Sequence, residues 1–220
     1  TMSEKLCVVI GVGPGLGIAL ARRFARAGYA VGLVARRRQH LTDFATEFMD
    51  RGQTVAMAPG DASKPGSIED ALGQIMDALG SPETLVYNAA VLKTGAPLSL
   101  SRARVEEELR VNVSSALACA QVTAPGMIER GSGSMLFSSG ALAHHPMSHY
   151  ASLSMGKAAL HSLVQSLDQE LSPRGIRCAT ISIAGVIAPG GPFDPDTIAE
   201  RYWKHHAERT QRWQTDIPFP

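Results

Sequence analysis

Six short apolar runs recur along the chain, each followed by a stretch long enough for one helix: Leu6–Ile10, Ala30–Ala35, Thr54–Ala58, Thr84–Tyr87, Ser134–Phe137 and Arg177–Ile183. The first three intervening stretches read as helices over Ile18–Ala27, around Leu41, Phe44, Ala45 and Phe48, and over Ile68–Leu79, with apolar residues at three- and four-residue steps. Two further helices are expected over Arg104–Thr123 and Ser154–Leu171. Several strands are apolar on both faces, which requires a parallel sheet covered by helices on both sides. The pattern predicts a single α/β domain over 1–220, a doubly wound parallel sheet of six to seven strands, with no clear seventh strand after Trp213. The Gly- and Pro-rich stretch Pro189–Pro195 leads into an amphipathic helix expected over Asp196–Trp213, with Tyr202 and Trp203 in its middle. That segment, near 190–213, reads as a C-terminal helical lid over a ligand site.

Charge narrows the function. Against 21 Lys and Arg stand 20 Asp and Glu, a net +1 that supplies no strong field for phosphate-backbone binding and argues against a nucleic-acid partner. Cys7, Cys119 and Cys178 form no Cys-x-x-Cys pair, which fits a reducing, cytoplasmic setting better than a disulfide or zinc framework. No apolar run has the length of a membrane span.

Ligands of open parallel sheets bind outside the carboxyl ends of the strands, where helix N-termini offer unpaired N–H groups to phosphate. Gly11, Gly13, Gly15 and Gly17 stand at such a place. The Gly-x-Gly-x-x-Gly fingerprint fails, because it demands glycine where Leu16 or Ile18 stands. Gly-x-x-x-Gly-x-Gly fits instead, on Gly11, Gly15 and Gly17 with Leu16 between the last two. Asp61-Ala62 follows the third strand, Asn88-Ala89-Ala90 the fourth, and Asn112 and Lys157-Ala158-Ala159-Leu160 come later, in order over nearly the whole chain. At these residues the chain resembles the short-chain dehydrogenase/reductase family, with its Rossmann-like fold. The resemblance implies dinucleotide contacts from Gly11, Gly15, Leu16, Gly17, Asp61, Ala62, Asn88, Ala89, Lys157 and, after the sixth strand, Gly185. At the end of the second strand an acidic residue would favour NAD, whereas here Arg36 can pair with a 2′-phosphate, so NADP is the expected cofactor.

The same resemblance implies a catalytic Ser, Tyr, Lys and Asn set, in which the Tyr is the acid and the Lys lowers its pKa and holds the nicotinamide ribose. The spacing Tyr-x-x-x-Lys before Lys157 finds Leu153, and the Ser column, thirteen positions earlier, holds Gly140. Asn112 and Lys157 remain in their columns. The chain is thus expected to be an atypical member without the usual Ser and Tyr. Tyr150 is the candidate replacement acid, although seven residues of helix would offset it from Lys157 by roughly 10.5 Å, and a water relay is the alternative donor. The expected catalytic residues are therefore Asn112, Tyr150 and Lys157.

His144, His145 and His149 cluster before Tyr150, with no carboxylate or cysteine nearby at ligand spacing, so no metal site is assigned. Surplus apolar residues in the helices around 104–123 and 154–171, with the family resemblance, imply a homodimer or homotetramer. Two functions follow: an NADP(H)-dependent oxidoreductase acting on a small carbonyl or alcohol with a non-standard proton donor, or a non-catalytic NADP(H)-binding sensor or scaffold.

Overall fold

The computed structural model describes residues 5–208 and 213–220. Seven parallel strands form one sheet: β1 (Leu6–Ile10), β2 (Ala30–Ala35), β3 (Val55–Pro59), β4 (Thr84–Tyr87), β5 (Gly133–Gly140), β6 (Ile176–Ile183) and β7 (Asp216–Phe219). Their order is β3-β2-β1-β4-β5-β6-β7. The central strand β1 is buried at every position, its Val9 lying beside Leu33 of β2 and Val86 of β4. A strand shielded on both faces has no place for polar side chains, which is why its five residues are all apolar.

The helices divide between the two faces. On one, α3 (Ser67–Leu79), α5 (Ser115–Arg130) and α6 (Ala151–Leu171) pack Leu72, Cys119 and Val164 against Val8, Leu85 and Phe137. On the other, α1 (Leu16–Arg26), α2 (Arg38–Asp50) and α7 (Pro195–Ala207) pack Phe24, Phe48 and Tyr202 against Val9, Leu33 and Val86. A short helix α4 (Arg102–Leu109) precedes α5, its first turn capped by the Ser101 hydroxyl, which accepts from the Arg104 N–H at 3.2 Å.

Four details differ from the sequence reading. The single helix expected over Arg104–Thr123 is interrupted by a π-helical turn at Arg110–Ser114 and continues through Pro125 to Arg130. Helix α6 begins at Ala151, three residues before the expected Ser154, so Tyr150 stands at its N-terminal boundary, where a strand-like bridge joins its backbone to Gly95. A seventh strand does exist. It was hidden because Asp216–Phe219 has only four residues, one of them Pro218, which is tolerated at the edge of a sheet where no further strand needs its N–H.

The fourth difference concerns the expected lid. Helix α7 ends at Ala207 and lies along α1, with Ile198, Ala199 and Tyr202 in the core and the Tyr202 hydroxyl 2.7 Å from Ser138 Oγ of β5. Tyr202 lies in the core and Trp203 packs against it, partly buried; positions 209–212 of the expected helix lie outside the described residues. The connection that runs free is the exposed stretch 184–192, between β6 and α7. Among the described residues no helix is long and apolar enough to cross a membrane, and all three cysteines are buried and unpaired.

Candidate active site

The strand order turns back between β1 and β4, and the connections leaving these neighbours run to opposite faces. A crevice opens at their carboxyl ends. Gly11 makes the turn after β1 at φ +88°, and a Cβ there would stand 2.6 Å from the Ala89 nitrogen. Only glycine satisfies both the left-handed backbone and that approach. Gly17 is equally constrained, since its Cβ would lie 2.6 Å from the Gly11 carbonyl oxygen and press α1 off the turn. Gly13 and Gly15 face open space, and no side chain caps the first turn of α1. The Ile18 N–H donates to the Gly13 carbonyl at 3.1 Å, and the N–H groups of Leu16 and Gly17 before it are placed for an anionic ligand. Leu16 buries its side chain in the core, so only its backbone faces this turn.

Gly11, Arg36, Asp61, Ala62, Asn88 and Ala89 all line one cleft of about 640 Å³. Asn88 builds that cleft more than it fills it: its Nδ2 donates to the Gly11 carbonyl at 3.1 Å, and its Oδ1 accepts from the Ser138 hydroxyl at 2.8 Å. The three carboxyl ends of β1, β4 and β5 are thereby tied together. Partial burial raises the Asp61 pKa, but the Ser63 N–H and hydroxyl, both donating to Oδ1, and the nearby charge of Arg36 outweigh it and hold the carboxyl below its ordinary value. Arg36 and Arg37 are exposed at the rim, with His40 one turn into α2. Arg37 and His40 were missed as cleft residues; the adjacent Arg36 was the signal for the first, whereas the second needs the course of α2.

The inner residues meet through α6. Gly156 lets that helix approach the π-helical turn, since a Cβ at Gly156 would lie 2.9 Å from Asn112 Cβ. Asn112 Oδ1 accepts from the Val91 N–H at 2.9 Å, and its Nδ2 is buried with no hydrogen-bond partner. Lys157 is buried, and its Nζ donates to the Ser138 carbonyl at 2.8 Å. Removal from water lowers its pKa to about 8. One turn earlier on the same helix, buried Leu153 occupies the column where a tyrosine was sought. Gly140 occupies the serine column and has the Ile183 carbonyl 3.1 Å from where a Cβ would stand. Tyr150 lies at the start of α6, half-buried, its ring packed edge-on against His149 at 5.3 Å. Gly185 does not line the cleft; it is exposed after β6, with the Phe193 ring standing where its Cβ would be.

A family profile described as short chain dehydrogenase matches residues 5–190. The chain belongs to that family. Among similar short-chain dehydrogenases, an uncharacterized oxidoreductase of Staphylococcus epidermidis is 26% identical over 188 residues, covering 86% of this chain and 80% of its own. The pig protein named dehydrogenase/reductase SDR family member 4 is 28% identical over 190 residues, covering 86% of this chain and 66% of its own. A crystal structure of a metagenomic short-chain oxidoreductase in complex with NADP superimposes with a TM-score of 0.88 at 25% identity, over 98% of this chain and 96% of the other.

The lowered Lys157 pKa has a measurable consequence. Between about pH 8 and the unfolded value of 10.5, an unfolded short-chain dehydrogenase chain still holds a proton that the folded one has released. Stability contributed at this position therefore rises with pH across that window and is smallest below it. Relative to Lys157→Met, the wild-type protein free of ligand is expected to gain at most about 3 kcal/mol between pH 8 and 10. Urea unfolding of both proteins at each pH checks the sign; a constant difference would contradict it.

Proposed function

We propose that this short-chain dehydrogenase is an NADP(H)-dependent oxidoreductase that transfers hydride between a nicotinamide and a small carbonyl or alcohol, with a proton donor other than position 153. The observation that carries the reading is the pair Lys157 and Asn112: a buried amino group that donates to the Ser138 carbonyl, and a buried amide N–H group with no partner, both in the columns where the family keeps its ribose-holding lysine and relay asparagine. Burying such groups costs free energy unless a ligand meets them. Bound NADP(H) supplies or accepts the hydride. The rest falls to this chain's own groups.

In this reading the glycine turn and the first N–H groups of α1 receive the pyrophosphate, and Asp61 and Ala62 border the adenine. Arg36, with Arg37 beside it, pairs with the 2′-phosphate, and the metagenomic relative's NADP complex is consistent with that choice. Lys157 holds the nicotinamide ribose, and its charge lowers the pKa of whatever group delivers the proton. Asn112 steadies a water through its unpaired N–H. Tyr150 precedes α6 and stands seven positions, about two helical turns, before Lys157, so in this reading its hydroxyl reaches the reaction through the substrate or through that water. Leu153 supports the second reading, a non-catalytic NADP(H)-binding sensor or scaffold, because an apolar side chain replaces the acid one turn from Lys157.

A homodimer or homotetramer through α4, α5 and α6 is part of the proposal. Met147 and Met155 remain exposed beside an apolar depression of about 710 Å³ that Leu100, Val105 and Ala158 also line. Sedimentation equilibrium is expected to give two or four times 23.3 kDa, and a monomer at micromolar concentration would remove this part of the proposal. For the cofactor, fluorescence titration should show NADPH binding at least tenfold more tightly than NADH, and Arg36→Ala should erase most of that preference; equal binding of the two cofactors by the wild-type protein rejects it. For the chemistry, the wild-type, Tyr150→Phe and Lys157→Ala proteins are compared across a panel of aldehydes and ketones with NADPH. Oxidoreductase function predicts turnover that falls a hundredfold or more in Lys157→Ala. Loss in Tyr150→Phe assigns the acid to Tyr150, retention assigns it to water, and tight NADPH binding with no turnover on any substrate supports the sensor.

A further inference from the structure

Three groups distant in sequence converge at the edge of the sheet away from the nucleotide cleft. His144 closes the short turn after β5, His161 lies in α6, and Asp216 opens β7. His144 Nε2 is 2.8 Å from Asp216 Oδ2, and His161 Nδ1 is 3.9 Å from the same oxygen. One ligand atom from each lies within 4.8 Å of the others. The carboxylate is already aimed: Ser182 and Thr180 donate their hydroxyls to its Oδ1 at 2.6 and 2.8 Å, which leaves Oδ2 for the two imidazoles. A simple His144–Asp216 pair accounts for only part of this arrangement. His161 Nδ1 is buried, faces the same oxygen and has no hydrogen-bond partner.

We propose that His144 Nε2, His161 Nδ1 and Asp216 Oδ2 bind one divalent transition-metal ion of the zinc type. Two imidazole nitrogens and a carboxylate are a donor set suited to Zn²⁺, which holds such atoms at about 2.0–2.2 Å and takes water in its fourth position. In a tetrahedral site two donors on one ion stand about 3.4 Å apart by those lengths. The widest pair, within 4.8 Å here, therefore closes by up to about 1.4 Å, which a turn of the His144 side chain, 42% exposed, can supply. The outer contacts are present as well. The Thr180 and Ser182 hydroxyls orient the carboxylate, and Gln165, whose amide nitrogen lies 2.9 Å from His161 Nε2, accepts the proton of that nitrogen through Oε1 once its amide is turned over.

An ion here fastens the turn that follows Gly140 to both α6 and the edge strand. The next residues of that connection lead directly to Tyr150, so occupancy stiffens one wall of the proposed substrate side without touching the nucleotide.

The test is a Co²⁺ titration of the full chain carrying no added histidine tag, followed by visible absorbance between 500 and 700 nm. The expected result is a d–d band that saturates at one Co²⁺ per chain and is displaced by Zn²⁺. Affinity should fall at least tenfold in His144→Ala and in His161→Gln, and stay at the wild-type value in His145→Ala, an exposed neighbour outside the cluster. His144 is itself exposed, so its removal leaves the fold intact and keeps the test valid even if position 161 is needed for packing. A band that does not saturate at one equivalent, or an affinity that His144→Ala leaves within twofold of wild type, overturns the proposal.

Discussion

The close passage of Gly11 over Ala89 governs this molecule. Two neighbouring strands send their chains to opposite faces of the sheet, and the crevice between those departures has useful dimensions only if the two turns nearly touch. A side chain at position 11 would meet the Ala89 backbone. With none there, the Asn88 amide spans the gap, binding the Gly11 carbonyl and the Ser138 hydroxyl. Ser138 in turn offers its carbonyl to Lys157 and its hydroxyl to Tyr202. Glycine turn, buried Lys157 and the C-terminal helix are thus linked by one short series of hydrogen bonds, so displacement of any member is felt at the others.

The sequence made the sheet readable because burial on both faces leaves so few residue types available. Val8, Val9 and Ile10 permit little besides a central parallel strand, and the glycines at 11, 15 and 17 mark where its ligand end must be. Arg36, Asp61 and Asn88 were legible for the same reason, since each follows a strand by one or two residues and strand ends converge. What escaped the reading depends on contacts between distant segments. Asp216 looked like part of an irregular tail because Pro218 masks the edge strand, and nothing in the spacing of His144 discloses that His161 and Asp216 come to meet it. Tyr202 had the composition of a lid residue and the surroundings of a core one, a difference decided only by what lies opposite it.

The site also separates two tasks that the family ordinarily joins. In the proposed reading the groups that hold a cofactor sit on rigid elements: the N-terminus of α1, the end of β4, and a lysine buried in α6. The groups that would protonate a substrate belong to the columns at Gly140 and Leu153, both lacking a hydroxyl. Burial lowers the Lys157 pKa whether or not a tyrosine stands beside it. In the proposed reading, a water or a relocated hydroxyl near Lys157 inherits the effect of that environment.

The π-helical turn at Arg110–Ser114 is, in effect, an α-helix with one residue too many. The surplus residue sets the phase between α4 and α5 and brings Asn112 against Gly156. Deleting any one residue there would restore the regular ladder and rotate everything on the near side by about 100° relative to α5, because each residue of an α-helix accounts for that much turn. Exchanging the side chain of Val111 or Ser114 is a local event by comparison. This short stretch keeps its place through the number of its residues more than through their identity, and an alignment that closes a gap across it would misplace the one asparagine the site depends on.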